Sequence, residues 1–209
     1  MAAVRTLIFA KAPRAGLAKT RLIPQLGAEG AAALARRMLD HMLASAAAAG
    51  IGPVELCATP AIEDPTWHGI ALPNGIACSA QGEGSLGERL ARHAQRVLAD
   101  GEALLLVGTD CIELDAARLR AAAQALQQHD CVLHPTLDGG YALLGLTRYH
   151  ATLFTDIAWS TASVAATTIE RIAQLGWSLH RATLLHDIDE PADLRHLPEH
   201  WRPLPGSIP

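Results

Sequence analysis

Ala103-Leu104-Leu105-Leu106-Val107-Gly108-Thr109-Asp110 holds the most strongly apolar run of the chain, broken by a glycine and closed by a carboxylate. Five consecutive apolar residues lack the alternation of a half-exposed strand and the length of a helix. They read as a central parallel strand buried on both faces. Such a strand needs crossover helices, and the flanking sequence supplies them. Upstream, Arg5–Ala10 reads as a first strand. Ala28–Ala49 reads as a long helix with Leu34, Met38, Met42 and Ala46 at helical spacing and Gly50 as its stop. Pro53–Ala58 and Ile76–Ser79 read as further strands around a Pro- and Gly-rich loop from Thr59 to Gly75, and Leu86–Leu98 as a second helix. Downstream, Asp115 is placed to cap a helix through Gln128. Cys131–His134 and Tyr141–Leu146 form an irregular hairpin around Asp138-Gly139-Gly140. Ser160–Leu175 reads as a helix, Trp177–Leu184 as a strand and Pro191–Leu197 as a short helix. This alternation predicts an α/β fold, a three-layer α/β/α sandwich on a mostly parallel, Rossmann-like sheet. Residues 1–197 read as a single domain and 198–209, with four prolines, as an irregular tail.

The composition bounds the partners. The chain has 209 residues, 50% hydrophobic and 18% charged, with a formal net charge of -4. That is a globular balance with enough apolar surface for one core. A mildly acidic chain has no general attraction to nucleic acid or anionic membrane, so neither is expected as a partner. Leu7–Ala10 is too short for a signal segment, which points to the cytoplasm. Cys57, Cys78, Cys111 and Cys131 form no C-x-x-C pair and read as reduced, mostly buried thiols. The ten histidines show no ligand spacing: His196 and His200 are separated by Pro198, which breaks a helix.

Chemistry concentrates where this sheet would end. Beyond the carboxyl ends of the strands lie the Lys11 loop, the Gln81 segment, Gly108–Asp110 and the Asp187 turn. Lys11-Ala-Pro13-Arg14-Ala-Gly16-Leu-Ala-Lys19-Thr20-Arg21 carries four cations in eleven residues and follows the first strand directly. Backbone N–H groups and cations in such a loop suit a polyphosphate, although the Walker spacing is absent. The two lysines of the chain, Lys11 and Lys19, both lie here; every other Lys/Arg position is arginine. Asp110 at the mouth of the sheet is a natural Mg²⁺ ligand. Asp187 and Asp189 alternate around Ile188 and in extended chain point the same way. Gln81-Gly-Glu-Gly84-Ser-Leu-Gly87 opens a helix with three glycines, and Trp159 reads as a core residue, with a pocket wall as the alternative.

Taken together, K-x-P-x-x-G-x-x-K-T-R-L, Q-G-x-G-x-L-G-x-R, G-T-D, D-G-G-Y-x-L-x-G-L, W-S-T and D-I-D-x-P-x-D-L, in this order from Leu7 to Leu194, resemble the bacterial DUF2064 family. That family is labelled glycosyltransferase A-like, within the nucleotide-diphospho-sugar transferase superfamily, and some members are linked by genome context to arsenosugar or selenium-related radical-SAM clusters. More distantly the chain is similar to the molybdenum-cofactor and 2-phospholactate guanylyltransferases. The resemblance implies phosphate contacts from Lys11, Lys19 and Arg21 within a loop that includes Pro13, Gly16 and Thr20. It implies base contacts near Gln81 and Gly84, and a sugar or acceptor near Gly140 and Tyr141. It implies Mg²⁺ or Mn²⁺ on Asp110 and Asp189, with Asp187 as the alternative ligand, and Lys19, Asp110 and Asp189 as the catalytic set. Two departures stand out. Asp110 is followed by Cys111-Ile112 rather than completing a D-x-D, and the G-x-G-T-R loop of nucleotidylyltransferases is absent. The leading expectation is glycosyl transfer from a nucleotide-diphospho-sugar to a small-molecule acceptor. The alternatives are nucleotidylyl transfer with release of pyrophosphate and a non-catalytic nucleotide- or sugar-binding module. A homodimer is compatible with each.

Overall fold

A computed structural model describes residues 3–202. Seven strands form one sheet in the order β3-β2-β1-β4-β6-β5-β7. They are β1 (Val4–Lys11), β2 (Val54–Thr59), β3 (Ala77–Ala80), β4 (Ala103–Val107), β5 (Cys131–Pro135), β6 (Tyr141–Leu146) and β7 (Leu179–Arg181). The helices are α1 (Ile23–Ala49), α2 (Leu86–Ala99), α3 (Ala116–Ala125) and α4 (Val164–Gln174). The three-layer reading holds, because alternate residues along each strand feed two cores. Ile8, Leu56, Leu105, Val107 and Val132 pack with Leu39, Met42 and Leu43 of α1 and Leu119 and Ala122 of α3. Leu7, Leu104, Leu106, Leu133 and Leu144 pack with Leu90, Ala94 and Val97 of α2 and Ile172 of α4. Leu104 and Leu105 are fully buried, as a strand covered on both faces requires.

Local chemistry explains the element ends. Gly27 adopts φ 69°, ψ 168° and breaks α1, so its uninterrupted part begins at residue 28. Gly50 closes it in the left-handed conformation. The Asp115 side chain accepts from the Arg118 N–H and caps α3. Ser85 and Glu88 form a reciprocal capping box at the start of α2.

Five expectations are corrected. β4 pairs in parallel with β1 but antiparallel with β6. The hairpin forces one of β5 and β6 to run backwards, and β6 is the strand that inserts beside β4. The helix expected from Ser160 starts at Val164, because Ser160 has φ 62°. The strand expected over Trp177–Leu184 is only Leu179–Arg181, and Pro191–His196 is a 3-10 turn. The tail is ordered at its start: Glu199–Trp201 is a 3-10 turn whose Trp201 is buried beside Leu22 and Leu34, with the Arg37 guanidinium 4.5 Å above the ring. Positions 203–209 of that tail lie outside the described residues. No helix among the described residues is long and apolar enough to cross a membrane.

Candidate functional site

The carboxyl ends of β1 and β4 and the turn after β7 meet at one point, and Lys19 occupies it. Its ammonium pairs with Asp110 and lies 3.3 Å from Asp189, and it donates to the Ile188 carbonyl at 2.6 Å. The Lys19 side chain is 7% exposed, although it belongs to a surface loop. Its backbone sits in the left-handed region, φ 48°, ψ 45°, which is costly for a side chain with a Cβ and is held only by surrounding contacts. Arg21 reaches the other oxygen of Asp189 at 2.9 Å and Glu190 at 3.8 Å. The Asp187 turn is fastened to the sheet: Ile188 N–H donates to Asp110 O at 2.8 Å, and Leu185 N–H to Pro135 O at 2.9 Å. Ile188 is fully buried while Asp187 and Asp189 both line the open side, as their alternation predicts.

Two adjoining cavities share this point. The first, about 270 Å³, is lined by Lys11, Lys19, Thr20, Arg21 and Thr109. The second, about 330 Å³, has apolar walls from Leu90, Leu106, Tyr141 and Trp159 and a polar rim of Thr136, Asp138, Gly140 and Asp187. Phe9, Arg21, Asp110 and Asp189 border both. Burial pushes the Asp187 carboxyl up to about 6, helped by repulsion from Asp138, Asp193 and Asp110. Both readings of Trp159 apply. It packs in the α2–α4 core and also forms a cavity wall, edge-on to Tyr141 with ring centroids 6.4 Å apart. Gly87 permits this, since a Cβ there would lie 2.5 Å from Trp159 Nε1. Gly139, at φ +88°, lets the hairpin approach Ala162, whose carbonyl oxygen would be 2.1 Å from a Cβ.

Other sequence-selected residues have different placements. Gln81 is 4% exposed, and its amide donates to Cys57 O at 2.9 Å and Ala10 O at 3.3 Å, tying β1 to β2. Gly84 (φ +104°) packs against Glu88 at the start of α2 and borders neither cavity. Pro13 is buried, and Gly16 (φ +78°) forms an exposed bend. Arg14, a cation of the same loop, donates to the carbonyls of Thr66 and His68 and braces the loop instead of facing the cavity. Phe9 and Asp138 gain their importance from position. Phe9 gives no signal beyond its place near the end of β1, and Asp138 reads in sequence as part of a segment that either turns the chain or admits a sugar or acceptor.

The donors at the shared point fit a divalent cation: two carboxylates from separate elements already converge on one positive charge, and Mg²⁺ typically takes one or two carboxylates with waters and phosphates. A second acidic cluster does not fit in the same way. Glu55, Cys57 and His93 bring their ligand atoms within 4.8 Å of one another, all buried. Glu55, however, accepts at 2.6 Å from both Ser79 and Arg96, with Arg5 at 3.6 Å. Burial pushes the Cys57 thiol up to about 12, so the thiolate a metal needs is disfavoured.

The profile of a protein family described as an uncharacterized protein conserved in bacteria, DUF2064, matches residues 42–161. The chain belongs to this family. The matched stretch contains Gln81, Gly84, Asp110, Gly140 and Tyr141; the cationic loop and the Asp187 turn lie outside it. No curated protein matches. Among solved structures, a protein from Desulfovibrio desulfuricans G20, described provisionally as a nucleotide-diphospho-sugar transferase, is 27% identical with a TM-score of 0.87. The alignment covers 97% of this chain and 89% of that one. Rv0371c from Mycobacterium tuberculosis H37Rv, in complex with manganese, is 17% identical over 93% of this chain and 97% of that one, TM-score 0.53. A CMP:2-keto-3-deoxy-manno-octonic acid synthetase complexed with CTP is 14% identical over 94% and 96%, TM-score 0.52. The last two likenesses concern the fold.

Proposed function

We propose that this DUF2064 chain is a metal-dependent glycosyltransferase-like enzyme that uses a nucleotide-diphospho-sugar donor and a small-molecule acceptor. The observation that carries the reading is the pair of adjoining cavities of opposite character that share Asp110 and Asp189. The cationic cavity suits a diphosphate: Lys11, Lys19 and Arg21 supply positive charge, and Thr20 a hydroxyl. The neighbouring cavity suits an uncharged ring and an acceptor. Asp110 and Asp189 would hold Mg²⁺ or Mn²⁺, which when bound neutralises charge between phosphate oxygens. Lys19 is positioned to meet the charge that grows on the departing nucleoside diphosphate, and Arg21 keeps Asp189 oriented. The 27% identical D. desulfuricans protein, described provisionally as such a transferase, supports the donor class, and the manganese and CTP complexes in this fold support a metal and a nucleotide.

Nucleotidylyl transfer is the second reading, because three cations on one cavity also suit a triphosphate. Calorimetry with UDP, GDP and CTP, with and without Mg²⁺ or Mn²⁺, tests the common core: binding is expected only with metal, and absent or metal-independent binding removes the enzyme reading. Incubation with nucleoside triphosphates and a panel of sugar phosphates divides the two reactions. Pyrophosphate release there would overturn glycosyl transfer.

A further inference from the structure

The charges around the second cavity are unequally matched. Asp110 and Asp189 are both met by cations, Lys19 and Arg21. Asp187, half-buried, has no ion pair and no hydrogen bond to another side chain among the described residues. Asp138 uses one oxygen, Oδ1, to accept from Thr136 Oγ1 at 2.5 Å and Gly140 N–H at 2.9 Å, and among the described residues it too has no cation. Arg21 is the one cation on this cavity's wall among the described residues, and Asp189 already engages it at 2.9 Å. The rings of Phe9, Tyr141 and Trp159 line the same cavity.

We propose that the second cavity binds an organic cation, an amine joined to a hydrocarbon or aromatic body, and disfavours a phosphorylated ligand. An ammonium beside Asp138 and Asp187 gains two charge-assisted contacts, and aromatic rings lining the cavity offer cation–π attraction. A phosphate in the same place would meet two uncompensated carboxylates with no free arginine or lysine to offset them. The aromatic and leucine walls provide the apolar surface against which the body of such a ligand packs. This rests on the transferase reading only in making the ligand the acceptor; the preference for positive charge follows from the cavity itself. In an acceptor of this kind the amine is the handle; a separate hydroxyl oxygen bonds to the anomeric carbon as the bond to the nucleoside diphosphate breaks, and the hydroxyl proton passes to water.

The test compares three probes with one phenethyl body: phenethylamine, phenethyl alcohol and phenethyl phosphate. Affinities are measured by ligand-observed NMR on the full chain, with UDP and Mn²⁺ present and absent. The amine should bind about tenfold more tightly than either other probe, and the preference should shrink to less than about threefold in Asp138→Asn and in Asp187→Asn. Asp138→Asn retains the Oδ1 acceptor used by Thr136 and Gly140, so the turn is kept. Equal binding of amine and alcohol, tighter binding of the phosphate, or a preference unchanged in both variants would overturn the proposal. So would loss of amine binding on adding Mn²⁺, since the carboxylates would then belong to the metal. Nucleotide titration separates the two readings. Amine preference without metal-dependent nucleotide binding leaves the cation site and removes the transferase, whereas nucleotide binding without amine preference removes the cation site alone.

Discussion

Two clusters of acids and bases lie on this sheet, and their contrast separates architecture from chemistry. At one, Glu55 is buried on β2 and surrounded by Ser79, Arg96, Arg5 and His93. Its Oε1 accepts from both Ser79 and Arg96 while Arg5 stands 3.6 Å from Oε2, and the cluster locks β2 to β3 and α2. At the other, Asp110 is 52% exposed, Asp189 is 41% exposed, and a single buried lysine on a strained backbone holds them together. A closed network rigidifies, whereas an open one, with carboxylates facing a cavity, has capacity left for a ligand. The same type of count, several acids with a base between, thus has opposite meanings according to who already occupies the lone pairs.

The largest expected effect breaks the closed cluster. Glu55→Ala removes the buried acceptor shared by Ser79 and Arg96 and leaves a void at a buried position, and should cost about 3 kcal/mol in denaturant unfolding, with nucleotide affinity unchanged in the folded protein. Its pH signature sharpens the point. Burial alone would raise the Glu55 carboxyl, yet hydrogen bonds from Ser79 and Arg96 bring it below the ordinary value. Its contribution is therefore present above the unfolded carboxyl value and is lost as pH falls through the lower folded value. The wild type should lose stability in that acid range faster than Glu55→Ala does.

Next in size is Lys19→Met at the open cluster. Removing a charged hydrogen-bond donor should weaken nucleotide binding by roughly 1.5–3 kcal/mol, read by calorimetry. In the nucleotide-free protein the same change should strengthen Mn²⁺ binding, because the ammonium no longer competes for Asp110 and Asp189. A purely structural lysine would give neither this pair of opposite signs nor a folded protein with intact melting behaviour.

Asp187→Asn is smaller and opposite in sign to Glu55→Ala. The folded Asp187 value, about 6, lies above the unfolded one, so its stabilising contribution is complete below the unfolded value and is lost as pH rises through about 6. The variant should match wild type near pH 4 and exceed it at pH 8, on the order of 1 kcal/mol after solvent screening, in thermal unfolding. The smallest effect concerns thiols. Cys78 is exposed and should react with a thiol reagent in the native state, while Cys57 and Cys131, both pushed up to about 12 by burial, react only on unfolding.

Much of this molecule was legible in one dimension because its cues are local. The run Ala103–Val107 coincides with β4 to the residue, Asp115 caps α3, and the alternation at Asp187-Ile188-Asp189 sets which side chains open to the cavity. Position after a strand end was enough to select the Lys11–Arg21 loop and Asp110. Periodicity and capping are properties of neighbouring residues, so sequence carries them. It does not carry strand direction at a hairpin, since either partner can insert beside β4. It does not carry the choice among cations either: Arg14 and Lys19 stand five residues apart, and one braces Thr66 while the other bridges carboxylates from distant elements. Gln81, Trp159 and Trp201 likewise acquire their partners only when separated segments meet. The sequence alone determined the layers, the strand ends and the candidate charges. The tertiary structure decided which charges face one another across an open cavity and which are already neutralised, because electrostatic pairing and burial depend on distances that only the folded chain sets.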